Sequence, residues 1–342
     1  MSNKTITRDQ LATLLDRLVE KNRVIAPVSD NRGVVRFGEI QKAGDIAWGF
    51  DQAKVPAKSH FLPQTEELYR YDTSGGELKI EPVPPPRPAV IFGLHPCDLK
   101  AVAALDPVFD GAFKDVYYLN KRERTVIIGL NCRKVLPTCF CRSYGIEPTD
   151  GQGADLMLTE AGDGYYVEIL TPKGEALIRD NAPLFSDAGV AEGRRAKDAL
   201  AGELAGQFQL NVDLTGVKAK VDTMFEHPYW QELARKCLGC GICTYLCPTC
   251  HCFDIIESHS GHRGCRLRCW DSCMFADFTL HTSSHNPRST KKERVRNRFL
   301  HKLSYHDERY GLAGCVGCGR CIAECPVNID ITQIIADIKE VD

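Results

Sequence analysis

Eight of the cysteines fall into two runs of one pattern. Cys237-Leu-Gly-Cys240-Gly-Ile-Cys243-Thr-Tyr-Leu-Cys247-Pro248 and Cys315-Val-Gly-Cys318-Gly-Arg-Cys321-Ile-Ala-Glu-Cys325-Pro326 both read C-x2-C-x2-C-x3-C-P. In such a run the first three thiolates wrap one [4Fe–4S] cubane on a tight turn. The fourth sits about a helical turn further on, faces the other way and ligates the second cluster, and the proline ends the turn. The spacing therefore assigns Cys237, Cys240, Cys243 and Cys325 to one cluster, and Cys315, Cys318, Cys321 and Cys247 to another. Zinc sites usually offer two C-x2-C pairs, and disulfide frameworks belong to small secreted chains. Neither pattern has four thiols in one short run followed by proline.

Four more cysteines follow two short apolar runs. Ala89-Val-Ile-Phe-Gly-Leu94 and Thr125-Val-Ile-Ile-Gly-Leu130 are near copies, separated by enough chain for a helical crossover, and read as parallel strands of an α/β sheet. His95-Pro-Cys97-Asp98 follows the first, Asn131-Cys132 follows the second, and Cys139-Phe-Cys141 comes shortly after. Ligands of open α/β sheets gather at the carboxyl ends of the strands. Asp98 is expected to cap the next helix, with Cys97 held near backbone N–H groups. Cys97, Cys132, Cys139 and Cys141 are thus enough for a third [4Fe–4S] cluster, with zinc or plain thiol burial as the alternatives.

Around these sites the chain divides into an α/β domain over 1–220, its sheet partly parallel, and an α-helical ferredoxin domain with two clusters over 221–342. In the first, Thr7-Arg-Asp-Gln10 is a capping box before Leu11, Leu14, Leu15 and Leu18 at helical spacing. Residues 23–85 read as short strands and loops, in which His60 is an ordinary loop histidine. Residues 155–170 read as a hairpin, and about 172–236 as helical, including Val217 to Lys236, which leads into Cys237. In the second, Asp330 caps a helix with Ile331, Ile334, Ile335 and Ile338 on one face. Gly317 and Gly319 lie among the cluster cysteines, where small residues let N–H groups approach sulfur.

The two ferredoxin halves are separated by a 67-residue insert, residues 248–314. It carries Cys250, Cys252, Cys265, Cys269 and Cys273, the cysteines that three clusters leave over. The C-x3-C-x3-C spacing of the last three places them on nearly one face of a helix, suited to burial or to a further redox site. The insert then turns basic, with Arg288, Lys291, Lys292, Arg294, Arg296, Arg298 and Lys302, which reads as a solvated or partner-docking face.

A net charge of −2, with 43% apolar and 26% charged residues, argues against nucleic acid as a partner. No apolar run is long enough to cross a membrane, and the N-terminus lacks the plan of a signal peptide. A cytoplasmic, anaerobic or micro-oxic setting, where thiols stay reduced, accounts for 17 cysteines as metal ligands. There is no strand–GxGxxG–helix unit, no Walker loop and no catalytic triad. The simplest reading is single-electron transfer on behalf of another protein. The rival is a catalytic subunit that reduces a sulfur compound or disulfide at the spare cysteines. A zinc scaffold is a third reading.

Several motifs together resemble one family. They are Gly93-Leu-His-Pro-Cys97-Asp98, Cys247-Pro-Thr-Cys250-His-Cys252-Phe-Asp254, Trp270-Asp-Ser-Cys273, His285-Asn-Pro-Arg288 and Pro63-Gln-Thr-Glu66. The family is that of iron–sulfur subunits including the beta subunit of soluble sulfhydrogenases and its counterpart in anaerobic sulfite reductase. The resemblance implies a cytoplasmic subunit that passes electrons between a flavin subunit handling NAD(P)H and a catalytic subunit. It extends to Cys250, Cys252 and Cys273 but less to Cys265 and Cys269, and His95 stands where relatives often have arginine.

Overall fold

The computed structural model describes residues 2–341. Eleven strands follow in chain order. They are β1 Lys4–Thr7, β2 Arg23–Ser29, β3 Val35–Glu39, β4 Thr65–Asp72, β5 Lys79–Pro82, β6 Ala89–Leu94, β7 Thr125–Leu130, β8 Leu156–Ala161, β9 Gly164–Ile169, β10 Phe253–Ser260 and β11 Arg263–Trp270. Seven build a mixed sheet in the order β1-β9-β8-β7-β6-β2-β3, with β2, β6, β7 and β8 parallel to their neighbours in that series. The continuous apolar sequence of β6 has its cause here, because every one of its residues is buried between two helical layers. The helix Arg8–Lys21, started by the Thr7 capping box, buries Leu11, Leu14 and Leu15 against one face. The helix Pro96–Phe109 covers the other with Leu99, Val102 and Leu105.

The second lobe packs the helices Val217–Thr223, Tyr229–Lys236, Lys291–Leu300 and Ile331–Glu340 around Trp230, Phe299, Ile334, Ile335 and Ile338. The Asp330 side chain caps the last of them. The helical stretch expected from Val217 to Lys236 is interrupted between Thr223 and Tyr229, where Pro228 stands just before the new helix. Lys291–Leu300 runs on into a π-helical turn, His301–Tyr305, a rare geometry often found at functional positions.

The insert differs from its helical reading. β10 and β11 form a hairpin that reaches out of the second lobe and pairs with β4, completing a four-stranded sheet in the order β10-β11-β4-β5. A strand, like a helix, places residues i and i+4 on one face, so Cys265 and Cys269 share a face of β11. Cys273 lies beyond the strand end at Trp270. The Gln64-Thr-Glu66 motif holds this clasp. Trp270 donates its backbone N–H to Gln64 O and its indole N–H to Leu62 O, both at 2.8 Å. The Arg268 guanidinium, 2% exposed, is paired with Glu66 and Asp115.

Candidate metal centres

Each ferredoxin run folds as a tight turn and a short helix, Ile242–Tyr245 in the first and Arg320–Ala323 in the second. Backbone N–H groups point at the sulfurs. Gly239 N donates to Cys237 Sγ at 3.3 Å, Gly317 N to Cys315 Sγ at 3.4 Å and Ile329 N to Cys325 Sγ at 3.2 Å. Cys237, Cys240, Cys243 and Cys325 line one cavity, whose other walls include Ile242, Met274, Val295 and Phe299. Cys247, Cys315, Cys318 and Cys321 line a second, with Phe140, Val316 and Ile331. Among the described residues no three His, Cys, Asp or Glu side chains converge as a single metal ion requires. Four thiols spread around an apolar cavity are the donor set of a cubane, whose ligands attach at separate corners.

The charges around these cavities complete the fit. The basic run of the insert faces solvent only at its start, where Lys291 is exposed; Arg294, Arg296, Arg298 and Lys302 are each at most 8% exposed. Arg298 and Lys302 turn toward the thiols, whereas Arg294 is held by the Arg288 and Ser289 carbonyls and Arg296 by Phe225 and Glu226. Arg298 lines both cavities, and its guanidinium lies 3.8 Å from Cys250 Sγ. Lys302 lines the second and donates to Thr249 Oγ1 at 2.8 Å. Lys58, from the other lobe, donates to Cys250 O at 2.9 Å and Thr244 O at 3.3 Å, and stacks over Trp270. No carboxylate pairs with these three cations among the described residues. Burial pulls the Lys58 ammonium down to about 8, against the pull of the Cys250 and Cys247 thiols. Burial would also lower Arg298 and Lys302, but the neighbouring cysteines outweigh it and both are held more firmly protonated. Three buried, unpaired cations cost several kcal/mol each unless anions stand beside them. Anionic cubanes of about −2 charge would meet that requirement.

The N-terminal cysteines sit where strand ends and loops meet. His95, not Asp98, is the N-cap of the Pro96–Phe109 helix, because Pro96 occupies the first helical position and Asp98 is drawn elsewhere. Its two carboxylate oxygens each accept from Arg320 at 2.8 Å, a bidentate pair buried between the lobes. Arg320 also donates from Nε to Ala53 O at 2.8 Å. His95 stacks on Phe50 and its Nδ1 lies 2.8 Å from Leu130 O. His60 falls on the short helix Lys58–Phe61, 3.0 Å from Thr125 Oγ1.

Cys97 and Cys141 share an apolar cluster with Cys318 of the second cavity. Cys132 lies within electrostatic reach of Cys141 and Cys139, and Cys97 within reach of Cys318 and Cys132. Burial pushes the Cys139 thiol up to about 11 and Cys141 up to about 12, so metal binding there must displace protons. The two loops meet backbone to backbone. Phe140 N donates to Gly317 O at 2.8 Å, and Gly317, at φ +62°, has no room for a side chain, since a Cβ would lie 2.5 Å from Cys141 Cα. Gly317→Ala is expected to cost about 2 kcal/mol or more through this clash and the left-handed backbone. It should lower both the thermal midpoint and the iron retained per chain.

The three thiol sets thus adjoin in a row. The N-terminal set abuts the second through Cys318, and the second and first share Cys321 and Arg298 as common wall. At the far end Cys240 is exposed, beside Leu238 at 63% exposure. Motif spacing points to the thiols and composition to the basic run with Arg298 and Lys302; Lys58 and the Asp98–Arg320 pair carry no local signal. The basic run was visible, but its direction was not.

A family model described as a 4Fe-4S dicluster domain matches residues 236–329. The chain is 30% identical over 328 residues to "Sulfhydrogenase 2 subunit beta" of Pyrococcus furiosus, covering 95% of both chains. An iron–sulfur protein with a domain for two [4Fe–4S] clusters follows from these matches and the doubled cysteine run. At that identity and coverage, the chain belongs to the family of sulfhydrogenase-beta-like iron–sulfur electron-transfer subunits.

Proposed function

We propose that this chain is a one-electron relay within a multisubunit oxidoreductase, linking a flavin subunit that handles NAD(P)H to a catalytic subunit of the hydrogenase or sulfite reductase kind. The observation that carries this reading is the contiguity of three four-thiol sets, ending at the exposed Cys240. Cys237, Cys240, Cys243 and Cys325 would hold one [4Fe–4S] cluster; Cys247, Cys315, Cys318 and Cys321 a second; Cys97, Cys132, Cys139 and Cys141 a third. Bound there, such clusters take up and release single electrons. The chain's own part is to exclude water with apolar walls, to donate N–H groups to sulfur and to place Arg298 and Lys302 where they favour added negative charge. The α/β lobe up to about residue 220 carries one end of this row and the ferredoxin lobe the other. Its place would be the cytoplasm; no helix of the described residues is long and apolar enough to cross a membrane.

Anaerobic purification of the native assembly, with its members identified by mass, tests the relay. Two partners, one flavin-bearing and one catalytic, should accompany the chain. Steady reduction of a sulfur compound by the isolated chain with an artificial donor would overturn it in favour of a catalytic role. Iron analysis tests the third cluster. Wild type should hold roughly twelve iron per chain and Cys139→Ser roughly eight, with the two ferredoxin-lobe signals retained in the electron paramagnetic resonance spectrum. Equal iron in both proteins would sink it.

A further inference from the structure

The cysteines outside the three thiol sets are not equivalent. Cys265 and Cys269 lie half-buried along β11, whereas Cys252 and Cys273 stand just outside the two strand ends at the base of the hairpin. The β10–β11 ladder closes with Phe253 opposite Trp270. One step further, Asp271 N donates to Cys252 O at 3.1 Å, which carries Cys273 back over Cys252. Cys273 lies close enough to Cys252 to favour its thiolate form. Both side chains pack in one apolar cluster, yet they differ in access: Cys273 is 5% exposed and Cys252 half-buried. Lys302 and Lys58 lie near enough for their positive charge to favour the Cys252 thiolate.

The chemistry of this pair is unequal. The hydrogen bond from Cys273 brings the Cys252 thiol down to about 6, with help from the Cys273 N–H, Lys302 and Lys58 and against the effect of burial. Cys273 is pushed the other way, by that same hydrogen bond and by burial, and keeps its proton. A reachable thiolate with a protonated thiol directly behind it is the arrangement of an attacking and a resolving cysteine. Pure packing would account for the burial of Cys273. It would not account for a thiolate-stabilising set of donors around the more accessible partner.

We propose that Cys252 and Cys273 form a reversible dithiol–disulfide couple that exchanges with a low-molecular-weight disulfide. The Cys252 thiolate attacks one sulfur of R–S–S–R. A mixed disulfide forms as the small S–S bond breaks, and the first RS⁻ leaves and takes a proton from solvent. Cys273 then gives up its proton, and its sulfur attacks Cys252 Sγ and expels the second small thiol, which takes that proton. The chain loses two electrons, and the small disulfide becomes two thiols. Excess small thiol runs the sequence backwards. The couple requires no iron, so it stands or falls separately from the relay.

The test uses the full-length, iron-loaded chain, incubated anaerobically in glutathione buffers from fully reduced to fully oxidised. Thiols are blocked in acid, and the peptides are quantified by mass without reduction. A cross-linked Cys252–Cys273 peptide should appear in one two-electron transition, its ratio to the reduced form changing tenfold per about 30 mV of buffer potential. Iron content should stay constant throughout. Cys273→Ser should trap glutathione on Cys252, and Cys252→Ser should leave Cys273 unmodified. Blocking of both cysteines across the whole series would overturn the proposal, as would a cross-link from either to a different cysteine. Loss of iron in Cys252→Ser would also overturn it, by making Cys252 a ligand. If the variants do not fold, the wild-type series decides alone.

Discussion

Arg298→Met should lower the reduction potentials of both centres in the ferredoxin lobe, by on the order of 100 mV each. The guanidinium is 4% exposed, forms part of both cavity walls and has no carboxylate partner among the described residues. Adding an electron to an anionic centre is easier beside a fixed cation. At an effective dielectric of about 20 and a separation of about 7 Å, a unit charge is worth roughly 2 kcal/mol. That converts to about 100 mV for a single electron. Methionine keeps much of the volume and removes the charge, so packing is a minor part of the change. Potentiometric titration followed by electron paramagnetic resonance would measure both potentials. Substituting an exposed cation such as Arg309 should move neither by more than a small fraction of that amount. Unchanged potentials in Arg298→Met would refute the electrostatic role.

Asp98→Asn should destabilise the joint between the lobes by about 3 kcal/mol, the lower end of the range for breaking a buried ion pair. Asp98 and Arg320 are 3% and 2% exposed, and the substitution removes the neutralising charge and one of two acceptor oxygens, leaving the guanidinium a neutral amide oxygen and the Ala53 carbonyl. The figure belongs at the low end because Cys97 and Cys318 lie within electrostatic reach of the same cation. The double variant Asp98→Asn with Arg320→Met should recover part of the loss, since no uncompensated charge then remains buried. Denaturant titration under anaerobic conditions would give both differences. A single variant as stable as wild type would show that the pair does not hold the lobes together.

The parts legible in the sequence share a property: their signal is local. The doubled C-x2-C-x2-C-x3-C-P runs, the Thr7 capping box, the apolar β6 and β7 and the Ile331–Ile338 stripe each declare themselves within a dozen residues. The insert hid its form because C-x3-C-x3-C has the same face-sharing meaning in a helix and in a strand. What decides for a strand is pairing with Thr65–Asp72, which no local pattern encodes. The basic run misled for a related reason. Lys and Arg are seldom buried, so composition favours a solvated face, and only the position of the thiols reverses that expectation. Asp98 shows the same competition at one residue. A first-turn aspartate favours a helix start, yet a guanidinium some 220 positions later in the chain offers a charged bidentate partner.

The hairpin clasp also bears on how this chain comes to be folded. β4 leaves the ribosome well before β11, its neighbour in the four-stranded sheet, and until then it can pair only with β5. A two-stranded ribbon is marginal in water, and its open edge is a template for unwanted pairing. Residues 65–82 therefore gain a full sheet only after most of the second lobe has been synthesised. Bringing β4 and β11 together also closes a loop of nearly two hundred residues, the kind of long-range contact that forms late. Closing the clasp docks the second lobe against Gln64 and Glu66, so maturation of the first half waits on the arrival of the second.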